Sequence, residues 1–140
     1  MQSRSKHHES EAERSAIMAR VKSKDTGPEK AVRRQVFSLG YRYRLHVAEL
    51  PGKPDMVFHG RHKVIFIHGC FWHGHHCRAG KNRPASNVAY WSAKLERNAE
   101  RDVKNLAALK AQGWKSLIVW ECETQNKVKL EKRVLRFLSK

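Results

Sequence analysis

The chain has 140 residues, a length that suits one domain and allows a hydrophobic core to form. Its 29 lysines and arginines face 13 aspartates and glutamates, which gives a formal net charge of +16. Such an excess indicates a polyanionic partner, with a merely basic surface or an anionic membrane as weaker alternatives. No apolar run approaches the roughly 20 residues of a membrane-spanning helix, and residues 1–13 lack the apolar core of a signal peptide. We therefore expect a cytoplasmic protein.

The N-terminal part of the chain predicts a flexible arm followed by two helices. Residues 1–14 are polar and form the arm, and residues 15–140 form a single folded domain. Residues 15–22 carry apolar side chains at helical spacing. A second helix spans residues 26–40, with Glu29 at the capping-box position and glycine at its end. Its apolar stripe comprises Val32, Val36, Phe37 and Leu39.

Three strands follow, over residues 41–47, 55–58 and 63–68. The short turn between the second and the third predicts an antiparallel hairpin. Residues 64–67 are apolar at every position, which is typical of a central strand that is buried on both faces.

The C-terminal part predicts a long helix over residues 87–112, a buried strand over 114–120 and a closing amphipathic helix. Apolar positions of the long helix include Trp91, Leu95, Val103, Leu106 and Leu109. Those of the last helix are Val128, Val134, Leu135 and Leu138. The order α-β-β-β-α-β-α predicts an α/β (α+β) fold with a mixed central sheet flanked by helices.

Residues 68–77 read HGCFWHGHHC and are the densest chemical motif of the chain. Imidazole and thiolate together suit Zn²⁺, and Cys70, Cys77 and Cys122 supply three ligands. One histidine would complete the set, and spacing does not choose among His73, His75 and His76. A closed four-ligand site is structural rather than catalytic. The alternatives are a thiol cluster without metal and a histidine tract that binds metal loosely.

Asp55 follows Pro54 at the start of a predicted strand, and the next strand ends at Ile67 and His68. This layout resembles that of restriction-endonuclease-like nucleases, in most of which the second strand carries Glu-x-Lys. The second carboxylate is absent here. Mg²⁺ takes few protein ligands, so Asp55 and a main-chain carbonyl suffice to hold it. Taken alone, Asp55 is better explained as a turn or strand-cap aspartate.

His68 and His73 are the candidates for proton transfer and for stabilising charge on a phosphate. Each is equally able to be a zinc ligand or a buried, hydrogen-bonded ring. Glu29 is a weaker candidate, because the capping box explains it without any catalytic role.

Phe71 and Trp72 lie inside the histidine- and cysteine-rich loop. Large apolar side chains in a short, metal-pinned loop indicate a wedge that unstacks a base step of duplex DNA. The alternative is a small aromatic core that covers the metal. Trp91 and Met18 are more typical of core positions.

The motifs together resemble the very short patch repair endonucleases, the Vsr family. The resemblance runs from about residue 12 to about residue 135. It is carried by PGKPD at residues 51–55, VIFIHGCFWHGHHC at 64–77, NAERD at 98–102, GW at 113–114 and VWEC at 119–122. The family usually has threonine where this chain has Ile67, and Gly74 replaces a histidine that is common in the family.

The resemblance implies an enzyme that recognises T:G mismatches, which arise by deamination of 5-methylcytosine, and nicks double-stranded DNA 5′ to the mismatched thymine. It implies Mg²⁺ held by Asp55 and the Ile67 carbonyl, with catalytic roles for His73 as general base, His68 at the phosphate, Glu29 in support and Asp102 orienting a histidine. It implies structural zinc on Cys70, His75, Cys77 and Cys122. It implies an aromatic wedge of Phe71, Trp72 and Trp91, with Met18 entering from the other groove.

Two other functions fit the motifs less well. One is a non-cutting DNA-binding module built on the zinc loop, which has no need of Asp55, His68 and His73. The other is a restriction-like nuclease of the same fold with a different target. A monomer is expected, because no coiled-coil or clear apolar interface pattern is present.

Overall fold

The computed structural model describes residues 27–73, 75, 77 and 86–140. The predicted arm, the helix over residues 15–22, the N-cap Thr26 and the wedge residue Met18 lie outside the described residues. The described elements are α1 (Gly27–Ser38), β1 (Arg44–Leu45), β2 (Met56–Phe58), β3 (Lys63–His68), α2 (Val88–Ala111), β4 (Lys115–Trp120) and α3 (Lys127–Leu138). The predicted order α-β-β-β-α-β-α is confirmed.

The four strands form one mixed sheet in the order β1-β2-β3-β4. The β2–β3 pair is the predicted antiparallel hairpin, and β3 pairs with β4 in parallel. β3 is therefore an interior strand, as its apolar sequence predicts. The strand predicted over residues 41–47 shrinks to the two residues of β1, because His46 has a left-handed backbone (φ 49°) that ends the extended run.

Helices cover both faces of the sheet. One cluster joins α1, α3 and one side of the sheet, and contains Val32, Val36, Met56, Phe58, Ile65, Val119, Leu130, Val134 and Leu138. The other joins the opposite side to α2, and contains Val57, Val64, Phe66 and Leu109. Consecutive residues of β2 and β3 alternate between the two clusters, since neighbouring side chains on a strand point to opposite faces.

Four positions expected in apolar stripes are instead on the surface: Phe37 (55% exposed), Val103 (67%), Val128 (61%) and Leu135 (42%). A helix buries only the stripe that faces its sheet, and these residues fall outside that stripe. The Phe37 ring lies under the Arg42 guanidinium, 4.0 Å from it. Within the part of the chain that the structure describes, no helix is long and apolar enough to cross a membrane.

Candidate active site and metal cluster

A cavity of about 530 Å³ lies at the carboxyl end of β3, between that strand, α1 and α2. The chain folds this way because β2 and β3 form a hairpin whose open end brings Asp55 close to Ile67. Its lining includes the titratable side chains Glu29, His46, Asp55, His68, His73 and Asp102. These residues come from parts of the chain that are far apart in sequence, and the sheet brings them together.

Asp55 lies directly before β2 and is tied to the end of β3. The Ile67 N–H donates a hydrogen bond to Asp55 Oδ2 at 2.7 Å. Burial raises the pKa of Asp55 to about 7, against the opposing effect of this hydrogen bond, and the nearby Glu29 carboxyl raises it further. Two neighbouring carboxyl groups supply oxygen donors of the kind that divalent cations prefer, so this end of the cavity could hold a cation.

Glu29 is buried on the first turn of α1 and faces the same end of the cavity. Its Oε1 lies 3.3 Å from Arg33 Nη2 and 3.9 Å from His46 Nε2. The predicted capping partner Thr26 lies outside the described residues, so the capping box stays a prediction. The position of the carboxylate beside Asp55 gives Glu29 a setting that capping does not explain.

His68 and His73 stack face to face, with ring centroids 3.7 Å apart. His73 Nδ1 is 2.6 Å from Asp102 Oδ2, so α2 holds this ring by a carboxylate. Burial lowers the pKa of His68 to about 4, and the neighbouring His73 contributes to the shift. Burial alone would raise the pKa of Asp102, but the hydrogen bond with His73 and the charges of the neighbouring histidine rings and Arg101 together outweigh it, and the pKa is lowered. His68 is thus neutral and Asp102 ionised near neutral pH.

Cys70, His75, Cys77 and Cys122 form a second cluster, whose ligand atoms all lie within 4.8 Å of one another. Cys122 Sγ is 3.7 Å from His75 Nδ1. Tetrahedral zinc holds sulfur and nitrogen ligands about 3.5–3.8 Å apart, so the set fits such an ion with small adjustments. Burial raises the pKa of Cys70 to about 12 and also raises that of Cys122. A bound cation would lower both pKa values, because it stabilises the thiolate form. The cluster could therefore bind a metal ion.

The geometry separates the histidines that spacing had left open. His75 joins the three cysteines, and His73 pairs with Asp102 on the cavity side. His76 lies outside the described residues.

Trp120, at the end of β4, connects the two clusters, a role that sequence reasoning missed. His75 stacks on its face, with centroids 4.1 Å apart. His68 meets it edge to face at 5.3 Å. The only signal in the sequence is that Trp120 lies two positions before Cys122.

Phe71, Trp72 and Trp91 form one aromatic cluster, with ring centroids between 5.1 and 6.0 Å apart. Trp91 is buried, while Phe71 and Trp72 are half-buried above it. Asn98, which sequence reasoning also missed, donates from Nδ2 to the Trp72 carbonyl at 2.9 Å and thereby ties the loop to α2. The cluster thus contacts both the cavity and the helix behind it.

A mixed sheet flanked by helices, with a carboxylate- and histidine-lined cavity at the end of its central strands, defines a restriction-endonuclease-like fold. A family model described as DNA mismatch endonuclease Vsr matches residues 6–79. The chain belongs to this family of DNA endonucleases.

Three relatives agree with the family model over most of the chain. The type II nicking enzyme V.XorIIP of Xanthomonas oryzae pv. oryzae is 52% identical over 122 residues, which are 87% of this chain and 89% of its own. The type II nicking enzyme V.NmeAIP of Neisseria meningitidis is 43% identical over 127 residues, 91% of this chain and 90% of its own. The DNA mismatch endonuclease Vsr of Escherichia coli is 40% identical over 124 residues, 89% of this chain and 79% of its own.

Proposed function

We propose that the protein is a mismatch endonuclease that recognises T:G pairs in double-stranded DNA and nicks the strand 5′ to the thymine. The observation that carries this proposal is the His73–Asp102 pair, 2.6 Å apart, in the same cavity as Asp55 and beside the aromatic cluster. The Escherichia coli relative is a DNA mismatch endonuclease, which supports mismatch specificity, and the other two relatives are nicking enzymes, which supports cutting of one strand.

In this proposal His73 takes the proton of the attacking water. Asp102 holds Nδ1 of the ring and so leaves Nε2 as the acceptor. His68 is neutral because of its lowered pKa, and serves as a hydrogen-bond donor to the scissile phosphate. Glu29 supports Asp55 from α1.

Asp55 and the main-chain carbonyl of Ile67 would hold Mg²⁺. The fit is supported by the position of both residues on the cavity wall and by the preference of Mg²⁺ for oxygen ligands. When bound, Mg²⁺ supplies stabilisation of the negative charge that develops on the phosphate. Because only a carbonyl is required at position 67, isoleucine in place of the usual threonine is compatible with this role.

Cys70, His75, Cys77 and Cys122 would hold structural zinc. In this proposal Phe71 and Trp72 enter the base stack at the mismatch, with Trp91 behind them and Met18 approaching from the other groove. Unstacking costs least at a base pair that is already mismatched, which gives such a wedge its selectivity.

The test is a strand-resolved nicking assay with Mg²⁺ on end-labelled duplexes that carry T:G, C:G or an abasic site. We expect a single nick 5′ to the thymine of T:G. His73→Ala should lower the nicking rate by about 10²–10⁴-fold, the range for loss of a general base, with DNA affinity retained. His62→Ala, at an exposed histidine outside the cavity, is the matched control and should nick at the wild-type rate.

Tight binding of T:G duplex without nicking would overturn the proposal in favour of a non-cutting DNA-binding module. Cleavage of both strands at a fully paired site would overturn it in favour of a restriction-like nuclease.

A further inference from the structure

His46 lies between two of the acidic residues that line the cavity, Glu29 and Asp55, and has no role in the site as proposed above. Its Nε2 is 3.9 Å from Glu29 Oε1, and its Nδ1 is 3.8 Å from Asp55 Oδ1. One ligand atom from each of the three side chains lies within 4.8 Å of the other two. His46 is only 11% exposed at its side chain. An imidazole thus faces both acids from inside the cavity wall.

Backbone contacts and secondary structure hold the three residues in this arrangement. Glu29 is on the first turn of α1, and Asp55 is tied to β3 through the Ile67 N–H. The His46 N–H donates to the Asp55 carbonyl at 3.3 Å, and the left-handed backbone at His46 turns the chain immediately after β1. The arrangement therefore belongs to the fold and does not depend on three flexible surface side chains.

The spacing suits a shared divalent cation. An octahedral ion with ligands at about 2.1 Å holds adjacent ligand atoms about 3 Å apart and opposite ones about 4.2 Å apart. Only one ring nitrogen of His46 can bind a given ion. With one ligand atom taken from each side chain, the three donors all lie within 4.8 Å of one another, slightly above the larger of these two separations. Small side-chain rotations would place all three donors around one ion.

The charges in the cluster also favour a cation. Two carboxyl groups, those of Glu29 and Asp55, face His46 here, and Arg33 Nη2 lies 3.3 Å from Glu29 Oε1. One arginine charge offsets at most one of two carboxylate charges. A donor set of one imidazole nitrogen and carboxylate oxygens accepts borderline transition ions such as Mn²⁺ as well as hard Mg²⁺.

We propose that His46 is a third side-chain ligand, with Glu29 and Asp55, for the divalent cation of the cavity, and that the site therefore takes Mn²⁺ through a nitrogen ligand. This inference rests on the proposed function in one respect, that the cation at Asp55 is the one used in nicking. His46 is added to the ligands of the cation, and the ion is one that accepts a nitrogen ligand. Both points are tested without DNA.

The test is pulsed electron paramagnetic resonance on zinc-loaded protein with one equivalent of Mn²⁺. We expect ¹⁴N modulation from a coordinated imidazole in the wild type and its loss in His46→Gln. The matched control is His62→Gln, because His62 shares the left-handed backbone of His46 (φ 54° and 49°) but lies outside the cavity. The Mn²⁺ dissociation constant, from the signal of free ion, should rise about 10-fold or more in His46→Gln and remain unchanged in His62→Gln.

A measurement on the unmutated protein covers the case in which His46→Gln does not fold. Wild type that contains ¹⁵N-histidine should exchange the ¹⁴N pattern for a ¹⁵N pattern. His68→Gln and His73→Gln should keep the modulation, which excludes the other two cavity histidines as its source.

Modulation that persists in folded His46→Gln, or that is absent from wild type with Mn²⁺ bound, would overturn the inference. Failure of the proposed function has a different signature: the protein binds Mn²⁺ through nitrogen but leaves T:G duplex intact.

Discussion

His68 and His73 are the same kind of side chain in contact with each other, but their surroundings give them different chemistry. His73 is half-buried, and its Nδ1 is hydrogen-bonded to the Asp102 carboxylate. His68 is buried, stacks on His73 and meets the Trp120 ring edge to face. Burial lowers the pKa of His68 to about 4, so this ring is neutral near pH 7. In the proposed mechanism, the aspartate on α2 is what makes His73 the base and leaves His68 as a neutral donor.

The first prediction concerns Asp102. Asp102→Asn keeps the shape of the side chain but can no longer hold His73 as a charged acceptor, so the ring loses its fixed tautomer and orientation. We expect kcat for nicking to fall about 10- to 100-fold, with little change in DNA affinity. Glu100→Gln, at an exposed acid on the same helix, is the matched control and should leave kcat unchanged. Equal rates in the two variants would contradict the role of Asp102.

The second prediction concerns the pH dependence that His68 adds to stability. Its folded pKa of about 4 lies below the ordinary 6.5, so between these values the unfolded chain binds a proton that the folded chain does not. This contribution to the free energy of unfolding is fully present above pH 6.5 and is lost as the pH falls towards 4. The total loss is about 3 kcal/mol, since each unit of pKa difference corresponds to about 1.4 kcal/mol.

Urea unfolding of wild type and His68→Gln at pH 6.5 and pH 4.5 measures this contribution. The free energy of unfolding of wild type should fall more steeply with acidification than that of the variant. His62→Gln, at an exposed histidine, should retain the wild-type slope. Parallel slopes for wild type and His68→Gln would show that His68 titrates normally in the folded protein.

At the scale of elements, the start of β3 anchors the end of α3. The buried Lys63 donates from Nζ to the main-chain oxygens of Phe137 and Lys140, both at 2.6 Å. Arg61 donates to the Leu138 carbonyl at 3.1 Å. The last carbonyls of a helix have no partner within the helix and carry the negative end of its dipole, so cations stabilise them.

The third prediction follows from this anchor. Lys63→Met keeps most of the side-chain volume but removes a charged donor, and should lower the free energy of unfolding by about 1–3 kcal/mol in urea titrations. Lys115→Met is the matched control, because Lys115 pairs with Lys63 across β3 and β4 but is exposed. We expect a change within about 0.5 kcal/mol there. A loss of similar size at both positions would rule out a specific anchor.

The fourth prediction compares two positions of α2 that the sequence pattern treats alike. Leu109 is fully buried against the sheet, whereas Val103 is 67% exposed. Leu109→Ala leaves a cavity and should cost about 2–5 kcal/mol of unfolding free energy. Val103→Ala should change stability by no more than about 0.5 kcal/mol. An equal loss of unfolding free energy in Val103→Ala and Leu109→Ala, measured by chemical denaturation, would contradict this prediction.

At the scale of the whole molecule, the Cys70–His75–Cys77–Cys122 cluster brings together the segment that follows β3 and the segment that follows β4. Cys70 follows β3, and Cys122 follows β4. These two strands are parallel neighbours, so both carboxyl ends, and with them the cluster and the cavity, lie at one edge of the sheet. Trp120 fills the space between the cluster and the paired histidines.

The fifth prediction concerns removal of the metal. If the cluster holds structural zinc, a strong chelator should lower Tm by about 10 °C or more, because the binding free energy of such an ion adds to folding stability. Cys122→Ser should show the lowered Tm without chelator and respond little to its addition. Calorimetry together with a zinc assay checks both. An unchanged Tm after zinc has been lost would mean that the cluster is not a folding element.

The sequence by itself determined the order of the elements, because helical and strand periodicity, together with glycines at Gly40 and Gly113, are local signals. It also marked residues 68–77 as a candidate metal-binding loop, since four histidines and two cysteines lie within ten residues. It did not reveal which side of each helix faces the sheet. Phe37 and Val103 are apolar and correctly placed in helices, but only packing decides that they are exposed.

Residue spacing did not separate His73 from His75, and only the family resemblance assigned them different roles. The tertiary structure separates them by their contacts, because residues two apart in an irregular loop reach different partners once Asp102 and Cys122 are positioned by α2 and β4. It alone revealed His46 between Glu29 and Asp55, since no short spacing links a helix start, a strand end and a hairpin. Local sequence records which conformations a segment prefers. A site built from distant segments depends on strand register and helix packing, which the whole chain decides together.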